Sequence, residues 1–485
     1  MYKHNAKQLL LPHEFFMPFE GQLNPENRWC KLAGMIPWET AEERYIESLG
    51  NPNAGQKAYS VRMALGTLII QNKKNLSDRE TVAEITENPY LQYFIGLPAF
   101  VQEPPFDASL LVHFRKRLGK DIINELNELL FLEEEQNSQS DDDAPRAGTT
   151  EGGEDASSKE PENKGNLILD ATCVPVDIQY PTDSRLLNDA REALEEIIDV
   201  LHAPHVGTCK KPRTYRQRAR KQYLRFERKR KHSKSEIRKT NGQQLRYVGR
   251  NLRIIAELVQ KSPLMLLDGH QYRNLLVVQE LYRQQLEMYQ EKKHSIPDRI
   301  VSLHMPFVRP IVRGKKNASV EFGPKLAVSI VDGFTFMEKL SFDAFNEGIT
   351  LQDSLERFKE RHGHYPAVVY ADKIYRNRDN LRFCKKHNIR LSGPPLGRPS
   401  KDPKVLKEQR KQEREDTKIR NGVEGKFGEG KRFYGLGLVM TRLQDTCETV
   451  IAMQLLVLNL ERKLRILIAH FLSWLFSNQN GALCC

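Results

Sequence analysis

The most constraining feature of this chain is an acidic segment, residues 133–162, that cannot contribute to a hydrophobic core. It carries eleven acidic residues against Arg146 and Lys159, a net charge of −9, and it is rich in Ser, Gly, Asp and Thr. Because it lacks aromatic and large aliphatic side chains, it cannot bury enough apolar surface to offset the entropy lost on folding. The sequence therefore predicts a disordered acidic linker, residues 133–164, between two separately folded parts of the 485-residue chain.

The part before this linker, residues 1–132, has the pattern of short helices joined by tight turns. Apolar residues recur at helical spacing over 62–71, and Ser77 with Glu80 forms a capping-box signature at the start of the next helix. A further helix is predicted over 110–118. It carries three adjacent cations that we assign to DNA contact: Arg115, Lys116 and Arg117. The pattern predicts an all-α N-terminal domain of helix-turn-helix type, although an ordinary helical bundle fits it as well.

After the linker the pattern changes to alternating strands and helices. Strands are predicted over 166–174, 325–331, 334–342, 366–372 and 389–392, and helices over 351–362 and 376–387. This alternation is typical of a mixed α/β layer. Between the first two strands lies a long helical interruption, residues 181–302. A structureless loop of this length is rare in a compact domain, so the sequence predicts an inserted helical subdomain.

Positive charge is concentrated in this insertion. Residues 210–250 hold 17 Lys and Arg against Glu227 and Glu236, a local net charge of +15 in a chain whose formal net charge is +12. Aromatic residues are interleaved with these cations: Tyr215, Tyr223, Phe226 and Tyr247. Cations that neutralise phosphates and aromatic rings that stack are typical of a DNA-binding surface, while a solvated basic helix is the alternative. The cations that we assign to DNA here are Arg225, Arg228, Lys229, Arg230 and Lys231.

Two of the predicted strands run into an aspartate, Asp170 and Asp372. In open α/β sheets, groups at the carboxyl ends of strands face a shared crevice. Two carboxylates there repel one another unless a cation neutralises them, and oxygen ligands suit Mg²⁺ or Mn²⁺. Turns also favour aspartate, so either residue alone has an ordinary structural explanation.

A third acid lies in a helical pattern with a cation on either side. The spacing of Arg420, Glu424 and Lys431 places all three on one helix face. A carboxylate that binds metal, flanked by cations that bind phosphate, suits a site that handles DNA; a solvated, salt-bridged helix face is the alternative. Glycines recur in the same stretch, at 422, 425, 428 and 430. Each costs a helix about 1 kcal/mol relative to alanine. This cost is tolerated where a backbone must approach a ligand closely; a helix broken in this stretch is the alternative.

Together, three sequence blocks resemble the DDE transposases of bacterial insertion sequences, in the group usually numbered five and its sister group four. The blocks are Leu169-Asp170-Ala171-Thr172, Tyr370-Ala371-Asp372-Lys373, and Arg420 with Glu424 and Lys431. Supporting strings lie at 27–32, 106–109, 114–117, 331–335 and 397–399. One position departs from the family pattern, since Thr417 stands where the third block often has a tyrosine.

The resemblance implies an RNase H-like catalytic domain over 165–476, with the insertion between its first two acids, and a short tail at 477–485. It implies that Asp170, Asp372 and Glu424 hold two Mg²⁺ ions, for which Mn²⁺ can substitute, with Asp170 bridging both. Four further cations would contact DNA: Lys373, Arg398, Arg420 and Lys431. The implied activity is binding of terminal inverted repeats, cleavage at the element ends, and joining of the 3′ ends to target DNA by two-metal-ion phosphoryl transfer. A homodimer would hold the ends in a synaptic complex.

Two other functions stay open on the residues alone. One is a sequence-specific DNA-binding regulator derived from a transposase, which need not retain the three acids. The other is a metal-dependent nuclease that cuts DNA without joining strands. The seven cysteines form no CxxC pair, and no apolar signal segment or uninterrupted membrane-spanning stretch is present. We therefore expect a cytoplasmic, nucleoid-associated protein without a cysteine zinc site or a membrane partner.

Overall fold

The computed structural model describes residues 11–17, 21–49, 58–142, 162–315, 318–397 and 402–481. They form two compact units. The first combines the chain up to Pro175 with Lys325–Ser341 and the chain from Phe345 onward, and the second comprises Val176–Pro324 with Phe342–Ala344. The second unit contains the predicted insertion, 181–302. It is wider than predicted, because a β-hairpin after residue 309 belongs to it.

Five of the strands in the described residues form one mixed sheet, which belongs to the first unit. The strands are β1 (Asn166–Cys173), β2 (Pro310–Lys315), β3 (Ala318–Phe322), β4 (Lys325–Val331), β5 (Phe334–Ser341), β6 (Val368–Tyr370) and β7 (Arg390–Leu391). The sheet order is β5-β4-β1-β6-β7, with β1 antiparallel to β4 and parallel to β6, while β2 and β3 form the separate hairpin. The predicted mixed α/β layer is therefore present.

The two aspartates lie at matching positions just beyond the β1–β6 pairing. Asp170 lies within β1, which pairs with β4 as far as Cys173, close to the predicted strand over 166–174. On its other side β1 pairs with β6 only as far as Ile168 and Tyr370. Asp170 and Asp372 thus each follow the last β1–β6 pair by two residues. Because side chains alternate with period two along a strand, both aspartates are expected on the sheet face of Ile168 and Tyr370, at the edge where β1 and β6 end their pairing.

Six helices precede the sheet in the described residues. They are α1 (Arg28–Met35), α2 (Trp38–Ser48), α3 (Val61–Lys74), α4 (Asp78–Glu87), α5 (Pro89–Phe94) and α6 (Leu110–Asp142). The capping box is formed as predicted: Glu80 N donates to the Ser77 hydroxyl, and Ser77 N donates to the Glu80 carboxylate. The helical prediction for this part of the chain is confirmed.

Helix α6 is much longer than the predicted helix over 110–118. It bends at Gly119, whose φ of 59° and ψ of 169° are not helical, and then continues to Asp142. The predicted linker start at residue 133 is therefore wrong over 133–142. Buried Leu130 and Phe131 anchor the helix just before this point, and Glu and Gln readily propagate a helix that is already nucleated. Residues 143–161 lie outside the described residues.

The second unit is built around three long helices. Its helices are α7 (Asp183–His202), α8 (Arg216–Glu227), α9 (Lys234–Val259) and α10 (Gly269–Glu291). One hydrophobic core joins α7, α9 and α10. Two glycines let α9 approach α10 closely: a Cβ at Gly242 or Gly249 would lie 2.5 Å from the hydroxyl of Tyr289 or Tyr282, respectively. The basic segment is therefore part of a folded helical unit, as the sequence predicts.

The remaining helices follow the sheet strands. They are α11 (Leu351–His362), α12 (Arg378–Lys386), α13 (Pro403–Arg420), α14 (Gly422–Phe433) and α15 (Gln444–Gly481). A core under the sheet joins side chains of β1, β5, β6, α11 and α12. None of the described helices, α15 included, is long and apolar enough to cross a membrane.

Helix α15 completes the core of the N-terminal helices. Its side chains Met453, Leu456 and Leu460 are at most 2% exposed and belong to the same hydrophobic cluster as α1–α6. A buried polar contact adds to this packing, since the Asn459 side chain donates to Asn127 Oδ1 of α6 and to the Thr335 carbonyl of β5, each at 2.8 Å. The N-terminal helices therefore share one core with the C-terminal helix.

Candidate active site

Asp170 is the most enclosed of the predicted catalytic residues. Its Oδ1 accepts the backbone N–H of Ala171 at 2.8 Å. Burial raises the pKa of its carboxyl group, and the nearby carboxylates of Glu347 and Asp372 raise it further, whereas the Ala171 N–H and the Arg420 guanidinium lower it. A half-buried carboxylate among like charges is electrostatically unfavourable unless a cation neutralises it.

Asp372 lies beside Asp170 at the start of the turn that follows β6. Its Oδ1 accepts the backbone N–H of Lys373 at 2.7 Å and a hydrogen bond from Arg420 Nη1 at 3.0 Å. The Asp372 side chain is 54% exposed, and Lys373 next to it is also exposed. Asp372 is therefore accessible, and its present counter-charge is Arg420.

Arg420 is placed by an ion pair one helical turn earlier. Asp416, which is 5% exposed on α13, accepts hydrogen bonds from both Nη atoms of Arg390 on β7, at 2.8 and 3.0 Å. Residues i and i+4 share a helix face, so fastening Asp416 to the sheet edge directs Arg420 toward the aspartates. The structure thus brings Asp170, Asp372 and Arg420 together.

Glu424 does not join this cluster. The helix predicted to carry Arg420, Glu424 and Lys431 on one face is divided in the structure, because α13 ends at Arg420 and α14 begins at Gly422. Glu424 is exposed on the first turn of α14. Among the described residues, no group of three or more His, Cys, Asp and Glu side chains is arranged to hold a metal ion.

Lys431 and three glycines of α14 differ in their contacts. Lys431 Nζ donates to the Cys173 carbonyl at 3.0 Å, so this predicted phosphate ligand instead ties α14 to β1. By contrast, a Cβ added at Gly422, Gly425 or Gly428 would meet no atom within 4 Å. Packing within the described protein therefore does not require these three glycines.

The predicted DNA contacts at 115–117 and at Arg398 differ in their outcome. Arg115 is only 4% exposed, pairs with Asp78 and donates to Gln71 at 2.8 Å, so it is a structural residue of the helical core and that assignment is wrong. Burial raises the pKa of Tyr45 and nearby Arg117 lowers it, whereas Lys116 is exposed. Arg398 lies outside the described residues.

The basic segment keeps most of its predicted cations on the surface. Arg225, Arg228, Arg230 and Lys231 are exposed and make no ion pair within the described part of the chain, whereas Lys229 pairs with Glu236. Three of the four interleaved aromatic residues are occupied within the unit, whereas Tyr215 is 46% exposed. Tyr223 is 8% exposed, Phe226 stacks on His232 at 3.8 Å, and the Tyr247 hydroxyl donates to Gln222. Phosphate contact thus fits this surface better than base stacking does.

Sequence reasoning missed one acid near the aspartates, Glu347, which raises the pKa of Asp170. It lies in the turn between β5 and α11 and is paired with Lys325 at 2.8 Å. The only sequence signal was an acid just before a helix, and this position is common for acids because it complements the helix dipole.

Two family models and one relative match parts of this chain. A family model described as "Transposase DDE domain" matches residues 369–461, and one described as "Transposase domain (DUF772)" matches residues 17–117. The chain is also 34% identical over 174 residues, 36% of its own length, to a Rhizobium meliloti protein named uncharacterized protein ORF8 in the nfe locus, covering 73% of that protein. The chain belongs to the DDE transposases of insertion sequences. No solved structure matches this transposase.

The DDE family match covers two of the three predicted catalytic acids, Asp372 and Glu424. The DDE match begins within β6, just before Asp372, and ends in α15, so it includes Arg420 and Glu424. DNA is the partner that such a family implies, and its members generally use divalent metal ions. The predicted membership of the insertion-sequence transposases is confirmed.

Proposed function

We propose that this transposase binds the terminal inverted repeats of its insertion sequence, cleaves the DNA at the element ends, and joins the 3′ ends to target DNA. Asp170, Asp372 and Glu424 would be the catalytic acids, and the domain that carries them would have the RNase H-like fold that a DDE domain implies. The observation that carries the proposal is the pair of neighbouring aspartates at one sheet edge, with Arg420 directed at them.

The donors at this edge suit a divalent cation. Burial keeps the pKa of half-buried Asp170 above its ordinary value, although the Ala171 N–H that its carboxylate accepts lowers this pKa. Mg²⁺ is commonly bound through one or two carboxylates together with substrate phosphates, so a complete protein cage is not required before DNA binds. Two such ions, Mg²⁺ or Mn²⁺, would activate the attacking water or 3′-hydroxyl and stabilise the leaving oxygen.

The residues around the acids would position the DNA. Arg420 now neutralises Asp372, and its guanidinium can bind a phosphate once the carboxylate has another counter-charge. Gly425 and Gly428, beside Glu424, leave helical backbone without side chains where a DNA strand can approach closely. Glu424 would reach the site when DNA lies against α14.

In the second unit, the exposed cations Arg225, Arg228, Arg230 and Lys231 would bind flanking phosphates. Neutralising phosphates in this way strengthens binding without reading sequence. Recognition of the terminal repeat would then come from other surfaces, among them the N-terminal helices with exposed Lys116. A homodimer would pair two element ends in a synaptic complex.

A strand-transfer assay on duplexes that carry the element ends tests this function. Asp170→Asn, Asp372→Asn and Glu424→Gln should each abolish cleavage and joining in Mg²⁺ or Mn²⁺, while DNA binding measured by fluorescence anisotropy persists. Asp379→Asn is the matched control, because Asp379 is 75% exposed and pairs only with neighbouring Arg382 in the described structure. Normal joining by one of the three variants would exclude that residue from the site. Cleavage without joining by the wild type would indicate a nuclease, and binding without either would indicate a regulator.

A further inference from the structure

A cavity of about 490 Å³ lies within the second unit, where the first turns of α9 approach the end of α10. Five basic side chains line this cavity: Lys234, Arg238, Lys292, Lys293 and His294. The first two belong to α9, whereas the other three follow α10. The fold therefore brings three basic residues from beyond residue 250 to the basic segment identified in the sequence.

Two of the charged residues around the cavity are compensated within the unit. Asp183, an acid that also lines the cavity, accepts hydrogen bonds from Arg299 at 2.6 Å and from Gln285 at 3.0 Å. Lys293 pairs with Glu291 at 2.5 Å. The carboxylate of Asp183 is thus already neutralised by its own partner and leaves the other cations of the cavity uncompensated.

Three cations of the cavity lack a carboxylate partner. Lys234 and Lys292 are exposed, and neither forms an ion pair within the part of the chain that the structure describes. Arg238 Nη1 donates to the Tyr289 carbonyl at 3.0 Å, and the Arg238 guanidinium lies over the Tyr289 ring, 4.2 Å from its centre. Concave sites lined by one sign of charge attract ligands of the opposite sign. The cavity is therefore suited to an anion.

The cavity also has an apolar side and an unsatisfied amide. Leu245 and Met288 are buried, and Ile237 is 39% exposed. Asn241 lines the cavity as well, and its buried Oδ1 has no hydrogen-bond partner within the described structure. Such an atom is uncommon in folded proteins, and the amide can offer a ligand either its oxygen or its NH₂ group. A ligand that uses all of these features combines an anionic group with an apolar body.

A nucleotide that carries a terminal phosphate has this combination. A phosphate monoester carries a charge of about −1.5 to −2 at pH 7, which is more than the single charge of a phosphodiester inside a strand. Bases stack on tyrosine rings and on arginine, and both are present where Arg238 lies over Tyr289. A concave site also accepts the end of a strand more readily than its middle, because the chain has to leave the site in one direction only.

We infer that this cavity binds the 5′-terminal nucleotide of a cleaved DNA strand, whose phosphate is held by Lys234, Arg238 and Lys292. The inference rests on the proposed function, because that cleavage produces the terminal phosphate. The water oxygen bonds to phosphorus, the P–O3′ bond breaks, the 3′ oxygen takes one water proton, and the phosphate stays on the 5′ end. The cavity is thus distinct in role from the exposed cations of the basic segment, which would bind phosphates within a strand.

Fluorescence anisotropy with the full-length protein tests the inference. The probes are two single-stranded oligonucleotides of one sequence, labelled at the 3′ end, with either a 5′-phosphate or a 5′-hydroxyl, and EDTA prevents cleavage. The wild type should bind the 5′-phosphorylated strand more tightly by about 10-fold or more, since hydrogen bonds between charged groups are the strong ones. Lys234→Gln/Lys292→Gln should remove this preference. Both lysines are exposed, so the variant should fold.

Lys221→Gln/Lys261→Gln is the matched control, because it removes the same charge at exposed positions of the second unit outside the cavity. This control should bind both strands alike or more weakly than the wild type does, but it should keep the preference for the 5′-phosphate. The same preference in Lys234→Gln/Lys292→Gln, or none in the wild type, would overturn the inference. Competition by free deoxyadenosine 5′-monophosphate that equals competition by the unlabelled phosphorylated strand would also overturn it, in favour of a free-nucleotide site.

The assay requires neither a metal ion nor catalysis, so it separates the inference from the proposed function. Asp170→Asn should keep the preference for the 5′-phosphate while it loses strand transfer. A wild-type protein that prefers the 5′-phosphorylated strand but neither cleaves nor joins DNA would overturn the proposed function and leave the binding site in place.

Discussion

Replacing two glycines of α14 with alanine should stabilise the fold of the transposase and slow its strand transfer. A Cβ at Gly425 or Gly428 meets no atom within 4 Å, and neither residue has a positive φ. Alanine is favoured over glycine inside a helix by about 1 kcal/mol per site, so Gly425→Ala/Gly428→Ala should raise the free energy of unfolding by about 2 kcal/mol. Urea denaturation followed by circular dichroism measures this change.

Strand transfer by the same double variant should fall, because two methyl groups would occupy the surface on which we place the DNA backbone. A displacement of reacting groups by about 1 Å can cost on the order of 100-fold in rate. Gly430→Ala is the matched control on the same helix: its Cβ would lie 2.5 Å from Leu436 Cδ1, so this variant should destabilise the protein. A double variant that is more stable and joins strands at the wild-type rate would refute close approach of DNA to α14.

Three further outcomes follow from the structure. Asp170→Asn should stabilise the protein at neutral pH, because burial raises the pKa of the native carboxyl group above its value in the unfolded chain. The gain in stability should disappear as the pH falls through the range near 4 in which an unfolded aspartate is protonated. A gain that does not depend on pH would contradict this reasoning. A fragment of residues 1–132 should show no cooperative thermal transition by circular dichroism, because α15 completes its core; a cooperatively folded fragment would contradict the shared core. For the same reason, Leu456→Ala in the full chain should lower the free energy of unfolding by about 2–5 kcal/mol. The third outcome concerns the slope of log K for DNA binding against the logarithm of salt concentration. Neutralising the four exposed cations Arg225, Arg228, Arg230 and Lys231 should reduce this slope by about 0.9 for each phosphate that they neutralise in the wild type. Arg283→Gln should leave the slope unchanged, because the Arg283 guanidinium already pairs with Glu280 and Glu287.

Much of the secondary structure could be predicted from local sequence, because local chemistry decides it. The Ser77–Glu80 capping box, helix α11 over 351–362 and the turn at Asp332 and Gly333 are all present. Positive φ values at both turn residues, 49° and 80°, are those that an Asp-Gly pair between two strands favours. The two aspartates were also predictable, since each follows a short apolar run that pairs within the sheet.

Local pattern failed where a distant segment determined the outcome. The sequence of α6 does not show where its helix stops, because burial of Phe131 against β5 anchors it before the acidic stretch. Arg115 has the pattern of a DNA-binding cation, and only packing against α3 and α4 shows that it pairs with Asp78 inside the helical core. Helix periodicity likewise predicted one helix for Arg420 and Glu424, whereas the structure divides it at Asn421.

The sequence by itself determined the α/β class, the basic helical insertion, the two sheet-edge aspartates and the likeness to transposases. Only the tertiary structure decided which charges meet: Arg420 with Asp372, and Glu347 with Lys325 beside Asp170. It also decided that α15, more than 300 residues along the chain from α6, completes the N-terminal core. The physical reason is that helix caps, turns and periodicity depend on neighbours in sequence, whereas burial and electrostatic pairing depend on neighbours in space.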